Sequence, residues 1–267
     1  MLQLSAIQQV AEQVLLVPGP NGHVDRFLLD RAQRLLRHCA SIAQLDDVRC
    51  FQVDRDCLAV AALFRDAGFA RYAGEADQVS RVLLAELTDH DLRDFSTQIV
   101  HERLAELLNP RQLERVCSTI IESGSRTTRL IEAMILSDAR NLDDMGAAGI
   151  FNAARRYGVH GRGVTEAVQA WRRKVDYDYW TARLREGFRF ESVRGLARGR
   201  LQGAIAFMDQ LARENRAADL EDLLLEQHLG EPDRGAATHE LDQVALTAVA
   251  STARRQQLAQ AGGRCDC

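Results

Sequence analysis

Proline is scarce in this chain of 267 residues, and its placement constrains the fold more than any other feature. The four prolines, Pro18, Pro20, Pro110 and Pro232, fall between segments of periodic apolar residues and never inside them. Because proline breaks the interior of a helix, the long stretches without it leave room for helices. Apolar residues in these stretches recur at the spacing of one helix face, and no convincing strand alternation is present. The sequence therefore predicts an all-α protein.

About ten helices and three regions are expected from the periodicity. Residues 1–22 form a helix and a Pro/Gly turn, residues 23–229 form one helical domain, and residues 230–267 hold a linker, one further helix and a mobile tail. The helical segments are residues 2–16, 23–44, 54–67, 76–87, 91–108, 110–123, 126–141, 143–156, 163–186, 190–228 and 238–260. Two of them, 163–186 and 190–228, are predicted to be single long helices.

Composition excludes several classes of protein. A hydrophobic content of 46% can fill a core without disulfide staples, and a net charge of −4 gives no general attraction to nucleic acid. No apolar run reaches the ~18 residues that a membrane span needs, and the N-terminus lacks the pattern of a secretory signal. We therefore expect a cytoplasmic protein with reduced cysteines. Cys265 and Cys267 could bind a soft metal, but two ligands alone do not make a site.

Two features early in the chain carry residues that could perform chemistry. His23 begins a helix directly after the Pro/Gly turn, and Arg65 and Asp66 end the most apolar helix of the chain. A charge at the end of an apolar helix is costly to bury without a partner. The pair is either an ion pair that emerges at the helix end or a ligand set carried on a rigid core helix.

Two further features lie in the second half of the chain. Asp138 follows an apolar helix face, and Asp143 and Asp144 follow it closely, either as solvated acids at a helix end or with one carboxylate aimed inward. Five arginines then come close together: Arg185, Arg189, Arg194, Arg198 and Arg200. Arg194 and Arg198 are one helical turn apart and could bind an anion together, although a solvated face is an equal alternative.

Taken in order, these residues resemble the HD superfamily, the all-α metal-dependent phosphohydrolase fold. The family pattern is an early His, a His–Asp pair that ends an apolar helix, and a late Asp, which His23, Asp66 and Asp138 match in part. Residues 136–150 are similar to the Asp-Ala-Asp-x-Leu-Asp…Gly-Ala-x-Gly-Ile segment of a subgroup of small bacterial HD hydrolases. The resemblance covers roughly residues 20–220.

The chain departs from this pattern at two positions that would face a metal. Arg65 replaces the paired His, and Arg140 replaces the second Asp of the late motif. Arginine has no lone pair to donate to a metal, but its guanidinium can pair with a carboxylate in its place. The resemblance then implies a degenerate, non-catalytic HD domain with an impaired metal site. Such a domain would act as a ligand-binding or protein-interaction module. Its candidate pocket residues are Arg65, Arg140, Arg194 and Arg200.

The alternative is a metal-dependent phosphohydrolase with an altered ligand set, acting on a nucleotide or another phosphoester. His23, Asp66 and Asp138, with His90 or His101, would then bind Mn, Fe or Zn, and a metal-bound water would hydrolyse the ester. No metal is expected under the non-catalytic interpretation. An HD-type oxygenase is the least favoured interpretation, because it needs more histidines than the chain places.

The expected partners follow from the same features. A phosphate-bearing small molecule would suit the candidate arginines. An apolar stripe within residues 238–260 could bind a protein partner or a second copy of the chain. Nucleic acid and membranes are not expected partners, because acidic residues interrupt the arginine series and no membrane-spanning segment is present.

Overall fold

Helices form nearly all the regular structure in the described part of this protein. The computed structural model describes residues 3–19, 23–74, 88–159 and 161–228. These residues contain eleven α-helices and one 3-10 helix, so the all-α prediction is confirmed. Two very short strands, β1 (Val17–Pro18) and β2 (Val24–Asp25), pair antiparallel around the Pro/Gly turn. In the described part of the chain, no helix has both the length and the apolar character needed to cross a membrane.

The helices follow one another along the chain with short connections. They are α1 (Leu4–Leu15), α2 (Phe27–Ile42), α3 (Arg55–Phe64), α4 (Asp89–Leu104), α5 (Pro110–Glu122), α6 (Ile131–Asp143), α7 (Ala147–Val159), α8 (Val164–Asp176), α9 (Tyr179–Glu186), α10 (Glu191–Glu214) and α11 (Ala218–His228). The 3-10 helix spans Ala67–Gly74, directly after α3. The predicted helices 76–87 and 238–260 and the predicted tail lie outside the described residues.

Both of the predicted long helices are broken in the structure. The segment 163–186 divides into α8 and α9, and Asp178 between them has a φ of 52°. The segment 190–228 divides into α10 and α11, and Ala217 between them has a φ of 55°. A residue with positive φ interrupts the helical ladder. The apolar periodicity continues on both sides of each break, which is why the sequence predicted one helix each time.

The chain divides into two compact units at a different place from the predicted boundaries. The first unit spans Met1–Asn215 and the second Arg216–Cys267, so the division precedes the predicted boundary at residue 230. The N-terminal helix α1 is not separate from the domain that follows it. Its residues Ile7, Ala11 and Leu15 are buried in the main core of the first unit. In the described part of the second unit, the residues after Ala217 form α11.

Helix α3 lies at the centre of the first unit and carries the candidate site at its C-terminal end. Seven of its ten residues are buried, because the run from Cys57 to Phe64 is apolar on all sides. Asp54 begins the helix, and its side chain accepts a hydrogen bond from the backbone N–H of Cys57. Helices α1, α2, α5 and α6 pack around α3. The charged pair that follows Phe64 is therefore held inside the core.

The turn between α6 and α7 depends on two glycines. Gly146 has a φ of 81°, a conformation that favours glycine. Gly149 lies so close to the end of α6 that a Cβ on it would be 2.1 Å from the carbonyl oxygen of Asp144. This contact fixes the start of α7 against Asp144, which belongs to the candidate site.

The close approach at Gly149 predicts that Gly149→Ala lowers the free energy of unfolding by about 1–3 kcal/mol, because the new methyl group meets backbone. Gly195→Ala is the matched control. Gly195 lies inside α10 with open space around its Cα, so alanine should stabilise the protein by about 0.5–1 kcal/mol. Urea unfolding of both variants measures the difference. Equal effects of the same sign would contradict this account of the turn.

Candidate functional site

Arg65 is the largest fully buried side chain of the described protein, with only 1% of its surface exposed. Its guanidinium donates to three acceptors from three parts of the chain. Nη1 donates to Asp66 at 3.1 Å, Nη2 to Asp89 of α4 at 2.7 Å, and Nε to the hydroxyl of Ser123 at 3.2 Å. Burial and the nearby charge of Arg140 lower the pKa of Arg65 to about 10, so the side chain stays charged at neutral pH.

Asp66 is the carboxylate around which the arginines gather. Arg31 Nε lies 2.7 Å from one of its oxygens, and Arg65 Nη1 and Arg140 Nε lie 3.1 Å and 3.9 Å from the other. Burial alone would raise the pKa of Asp66. The attraction of Arg31, Arg65 and Arg140 outweighs burial and lowers it. Asp66 is therefore ionised, and three guanidinium groups share its charge.

Helix α2 connects this centre to the end of α6. Arg31 also contacts Asp144, with Nη2 3.1 Å from the carboxylate. One turn along α2, Arg34 binds the fully buried Asp143 through Nε at 2.7 Å and Nη2 at 3.3 Å. Burial would lower the pKa of Arg31, but its aspartate neighbours raise it above the ordinary value. The sequence allowed Asp143 and Asp144 to be either solvated or directed inward. In the structure, both are paired with arginines of α2.

Two further arginines complete the group. Arg183 of α9 binds the other oxygen of Asp144 at 2.7 Å. Arg93 of α4 pairs with Asp89, whose carboxylate also lies 3.0 Å from Arg140. We call the whole set the Arg–Asp cluster: Arg31, Arg34, Arg65, Arg93, Arg140 and Arg183 with Asp66, Asp89, Asp143 and Asp144. Six guanidinium groups meet four carboxylates, so the cluster carries an excess of two positive charges.

The structure places Asp138 away from this cluster. Its carboxylate is fully buried and accepts hydrogen bonds from the backbone N–H groups of Arg189, at 2.9 Å and 3.0 Å, and Phe190, at 3.0 Å. Burial raises the pKa of Asp138 to about 6, and these hydrogen bonds act in the opposite direction. Asp138 thus holds the start of α10. Two residues along a helix is a rotation of about 200°, so Arg140, and not Asp138, faces Asp66.

The histidines proposed as metal ligands also do not converge on Asp66. His23 is exposed, and its carbonyl oxygen accepts a hydrogen bond from Gly19 in the turn between the strands. His90 is 74% exposed and its Nδ1 lies 3.0 Å from Asp94, one turn along α4. His101 is exposed on the same helix. Of the proposed ligand set, only Asp66 lies in the Arg–Asp cluster.

The four candidate pocket arginines separate into two pairs. Arg65 and Arg140 belong to the cluster, and Arg140 also lines the cavity described below. Arg194 instead donates to the carbonyl oxygen of Phe188 at 2.7 Å and pairs with Glu191. Arg200 donates to the carbonyl oxygen of Leu142 at 2.9 Å. The latter two connect backbone segments and do not face the cluster. Arg198 is exposed, as the solvated-face alternative expects.

The residues around Asp66 do not fit a divalent metal ion. Guanidinium groups stay protonated and donate hydrogen bonds, so they cannot act as ligands. Here Arg65 donates to one oxygen of Asp66, and Arg31 and Arg140 lie within ion-pair distance of the same carboxylate. Across the described ranges, no three His, Cys, Asp or Glu side chains are arranged to hold a metal. The positive charges next to Asp66 belong to arginine side chains.

A cavity of about 770 Å³ opens above the cluster, between the start of α2 and helices α7 to α10. Aromatic and aliphatic side chains form most of its wall, among them Phe27, Phe69, Trp171, Trp180 and Met208. Its charged side chains are five cations and two carboxylates: Arg31, Arg140, Arg156, Lys174 and Arg183, with Asp89 and Asp144. The cavity therefore combines an apolar wall with an excess of positive charge.

Several of these residues were not predicted from the sequence. Arg31 and Arg34 stand on an amphipathic helix, where arginines ordinarily mark the solvent face. Arg183 precedes the five-arginine series that begins at Arg185, and Lys174 is the single lysine of the chain but belongs to no recognisable motif. The sequence contains one indication of these partners. Asp143 and Asp144 follow an apolar helix face, and buried carboxylates require partners of opposite charge. The spacing within α2 does not reveal which arginines reach them.

Comparison with known proteins supports the fold. No family model and no curated protein matches the chain. The structure is similar to crystal structures of Bacillus subtilis YpgQ. Its complex with ADP is 19% identical, covers 78% of this chain and 97% of its own, and gives a TM-score of 0.51. A second crystal structure of YpgQ is 21% identical, with coverages of 79% and 96% and a TM-score of 0.51. The all-α fold is shared with YpgQ.

The lowered pKa values of Asp66 and Asp144 predict an acid-sensitive core. Their contribution is complete above the ordinary Asp pKa of about 3.9 and is lost as pH falls toward the lower folded values. Asp66→Asn should lower the free energy of unfolding at pH 7 by about 3–5 kcal/mol, because it leaves buried guanidinium groups without their shared charge. Between pH 7 and pH 3, the free energy of unfolding of Asp66→Asn should also fall less than that of the parent protein. The variant has no carboxylate at position 66 that could become protonated.

The control for this prediction is Asp46→Asn. Asp46 forms an exposed ion pair with Arg49 on the surface, so its loss should change stability little. Urea unfolding midpoints between pH 3 and pH 7 compare the two variants with the parent protein. Equal losses at pH 7 and parallel pH profiles would show that Asp66 does not organise the core.

Proposed function

We propose that this protein is a metal-free, non-catalytic HD-like domain that binds a phosphate-bearing small molecule in the cavity above the Arg–Asp cluster. The observation that supports the proposal best is the charge of the cavity, where five cationic side chains face two carboxylates. Phosphate oxygens accept strong charge-assisted hydrogen bonds from arginine. A phosphate would use the donors of these side chains that the aspartates leave unpaired.

The Arg–Asp cluster supports the non-catalytic part of this proposal. A phosphohydrolase of this fold family uses a metal to activate water. Arg65 and Arg140 stand at two positions where the family pattern has a metal-facing His and Asp, and both contact Asp66. The cluster thus supplies positive charge through guanidinium groups, which cannot hold a metal ion that would activate water. Its function here would be to orient and bind an anion.

The size and wall of the cavity favour a ligand with a large flat or apolar part beside its phosphate. A cavity of about 770 Å³ is within the range of sites for small molecules and cofactors. Trp171 and Trp180 lie against each other with ring centroids 4.9 Å apart and line one side. A crystal structure of the similar YpgQ contains ADP. A nucleoside diphosphate is therefore the first ligand to test on this chain.

A cytoplasmic location belongs to the same proposal. Four cysteines in the described residues are free: Cys39, Cys50, Cys57 and Cys117. Two of them, Cys39 and Cys57, are buried, and burial raises the pKa of both thiols. Free thiols of this kind suit a reducing compartment.

The proposal predicts that ADP binds without any added divalent metal. Arg156→Gln should weaken binding about 10–100-fold, the loss expected for one charge-assisted hydrogen bond to phosphate. Arg156 lines the cavity and is exposed, so the substitution should leave the unfolding midpoint unchanged. Isothermal titration calorimetry in buffer with EDTA measures both proteins.

The control is Arg172→Gln, an exposed arginine of α8 that does not line the cavity. It should bind ADP as the parent protein does. No heat of binding with the parent protein, or an equal loss in both variants, would contradict the proposed site. Release of phosphate from ADP that requires Mn, Fe or Zn would instead support the alternative, a phosphohydrolase with an altered ligand set.

A further inference from the structure

Lys174 is the only lysine of the chain, and every other member of its 34 lysine and arginine residues is arginine. Arginine and lysine both supply positive charge and hydrogen-bond donors. Arginine keeps its proton at any ordinary pH, so it cannot serve as a nucleophile through a neutral amine. A task that only lysine can perform would explain why one lysine stands among so many arginines.

The position of Lys174 suits such a task. It is half-buried in α8 and lines the cavity. The left-handed turn at Asp178 brings α9 back beside it. Its Nζ therefore lies 5.3 Å from the ring centroid of Trp180 and 5.4 Å from that of Tyr179. The amine therefore lies next to aromatic side chains in a cavity large enough for a small-molecule ligand.

The charges around Lys174 come from three neighbouring elements. Arg156 approaches from α7, Arg183 from α9 beside the hydroxyl of Tyr179, and Asp144 from the turn after α6. Among the ion pairs of the described residues, none holds the Lys174 ammonium to a carboxylate. Burial and the two arginines lower the pKa of Lys174, and Asp144 acts in the opposite direction. A desolvated lysine beside another cation is a recognised form of activated amine.

We propose that Lys174 forms an imine with the carbonyl group of an anionic aldehyde or ketone bound in the cavity. The neutral amine attacks the carbonyl carbon, a C–N bond forms, and the carbonyl oxygen leaves as water. The product is a C=N bond, and the reaction needs no oxidant or reductant. Arg156 and Arg183 line the same cavity as the amine and would bind the phosphate or carboxylate of the ligand. This inference uses the cavity of the proposed function and adds covalent capture to it.

The probe for this inference is pyridoxal 5′-phosphate, an aldehyde that carries a phosphate. The full-length protein is incubated with the probe at pH 7 and reduced with sodium borohydride, which fixes an imine as a stable amine. Peptide mapping by mass spectrometry should find the adduct on Lys174, apart from slower labelling of the terminal amine. Lys174→Arg should abolish the internal adduct. Pyridoxal without the phosphate should label Lys174 at least tenfold more slowly, because it lacks the anion.

Two further measurements test whether the cavity makes the Lys174 amine more reactive than the amine of a lysine in a free peptide. A free peptide of residues 168–180 carries the same lysine without the cavity, and the protein should label at least tenfold faster than this peptide at pH 7. The labelling rate of the protein should also reach its midpoint at a lower pH than that of the peptide. Equal rates and equal midpoints, or an adduct on the terminal amine alone, would overturn the inference.

The labelling experiment and the ADP-binding experiment can fail independently, so failure of the imine can be distinguished from failure of the proposed function. If the parent protein and Lys174→Arg both bind ADP but no adduct forms on Lys174, the anion site stands and the imine is wrong. If Lys174 is labelled with the expected preference but ADP does not bind, the amine is confirmed and the nucleotide is the wrong ligand. Protection of Lys174 from labelling by ADP would show that both use one cavity.

Discussion

The contact between one buried carboxylate, Asp66, and three guanidinium groups is the interaction on which the rest of this structure depends. A charge in the core costs several kcal/mol unless it is paired, so each partner requires the others to be in place. Arg31 reaches Asp66 from α2, Arg65 from the end of α3, and Arg140 from α6. These contacts join three helices at the point where the apolar core ends. The centre of the protein is polar, and its four carboxylates match four of its six guanidinium charges.

Part of the excess positive charge of the Arg–Asp cluster lies on arginines that line the cavity. Arg65 is enclosed, whereas Arg31, Arg140 and Arg183 each have one side on the cavity. The apolar wall of the cavity has a low dielectric constant, which strengthens the field of these groups. The same arrangement that holds the helices together thus prepares a site for an anion. The glycines of the α6–α7 turn take part, because the close approach at Gly149 fixes Asp144 between Arg31 and Arg183.

The sequence was sufficient to predict the all-α fold, because proline placement and apolar periodicity are local signals. It also identified Arg65, Asp66 and Arg140, since a motif marks them. It did not predict that Asp138 holds the backbone at the start of α10, because that role depends on helical phase and on residues 189 and 190 arriving beside it. The partners in α2 and the left-handed breaks between long helices were missed for the same reason. Both depend on tertiary contacts that periodicity does not contain.

The most direct measurement of the central claim is the metal content of the purified protein, together with its stability in EDTA. If arginines replace the metal, protein prepared without chelator should hold far less than one equivalent of Mn, Fe or Zn. Its unfolding midpoint should be the same with and without EDTA. Arg65→His combined with Arg140→Asp removes two guanidinium groups and restores two ligands, so it should gain metal affinity. About one equivalent of metal in the parent protein, with a fall in the midpoint when EDTA removes it, would contradict the account.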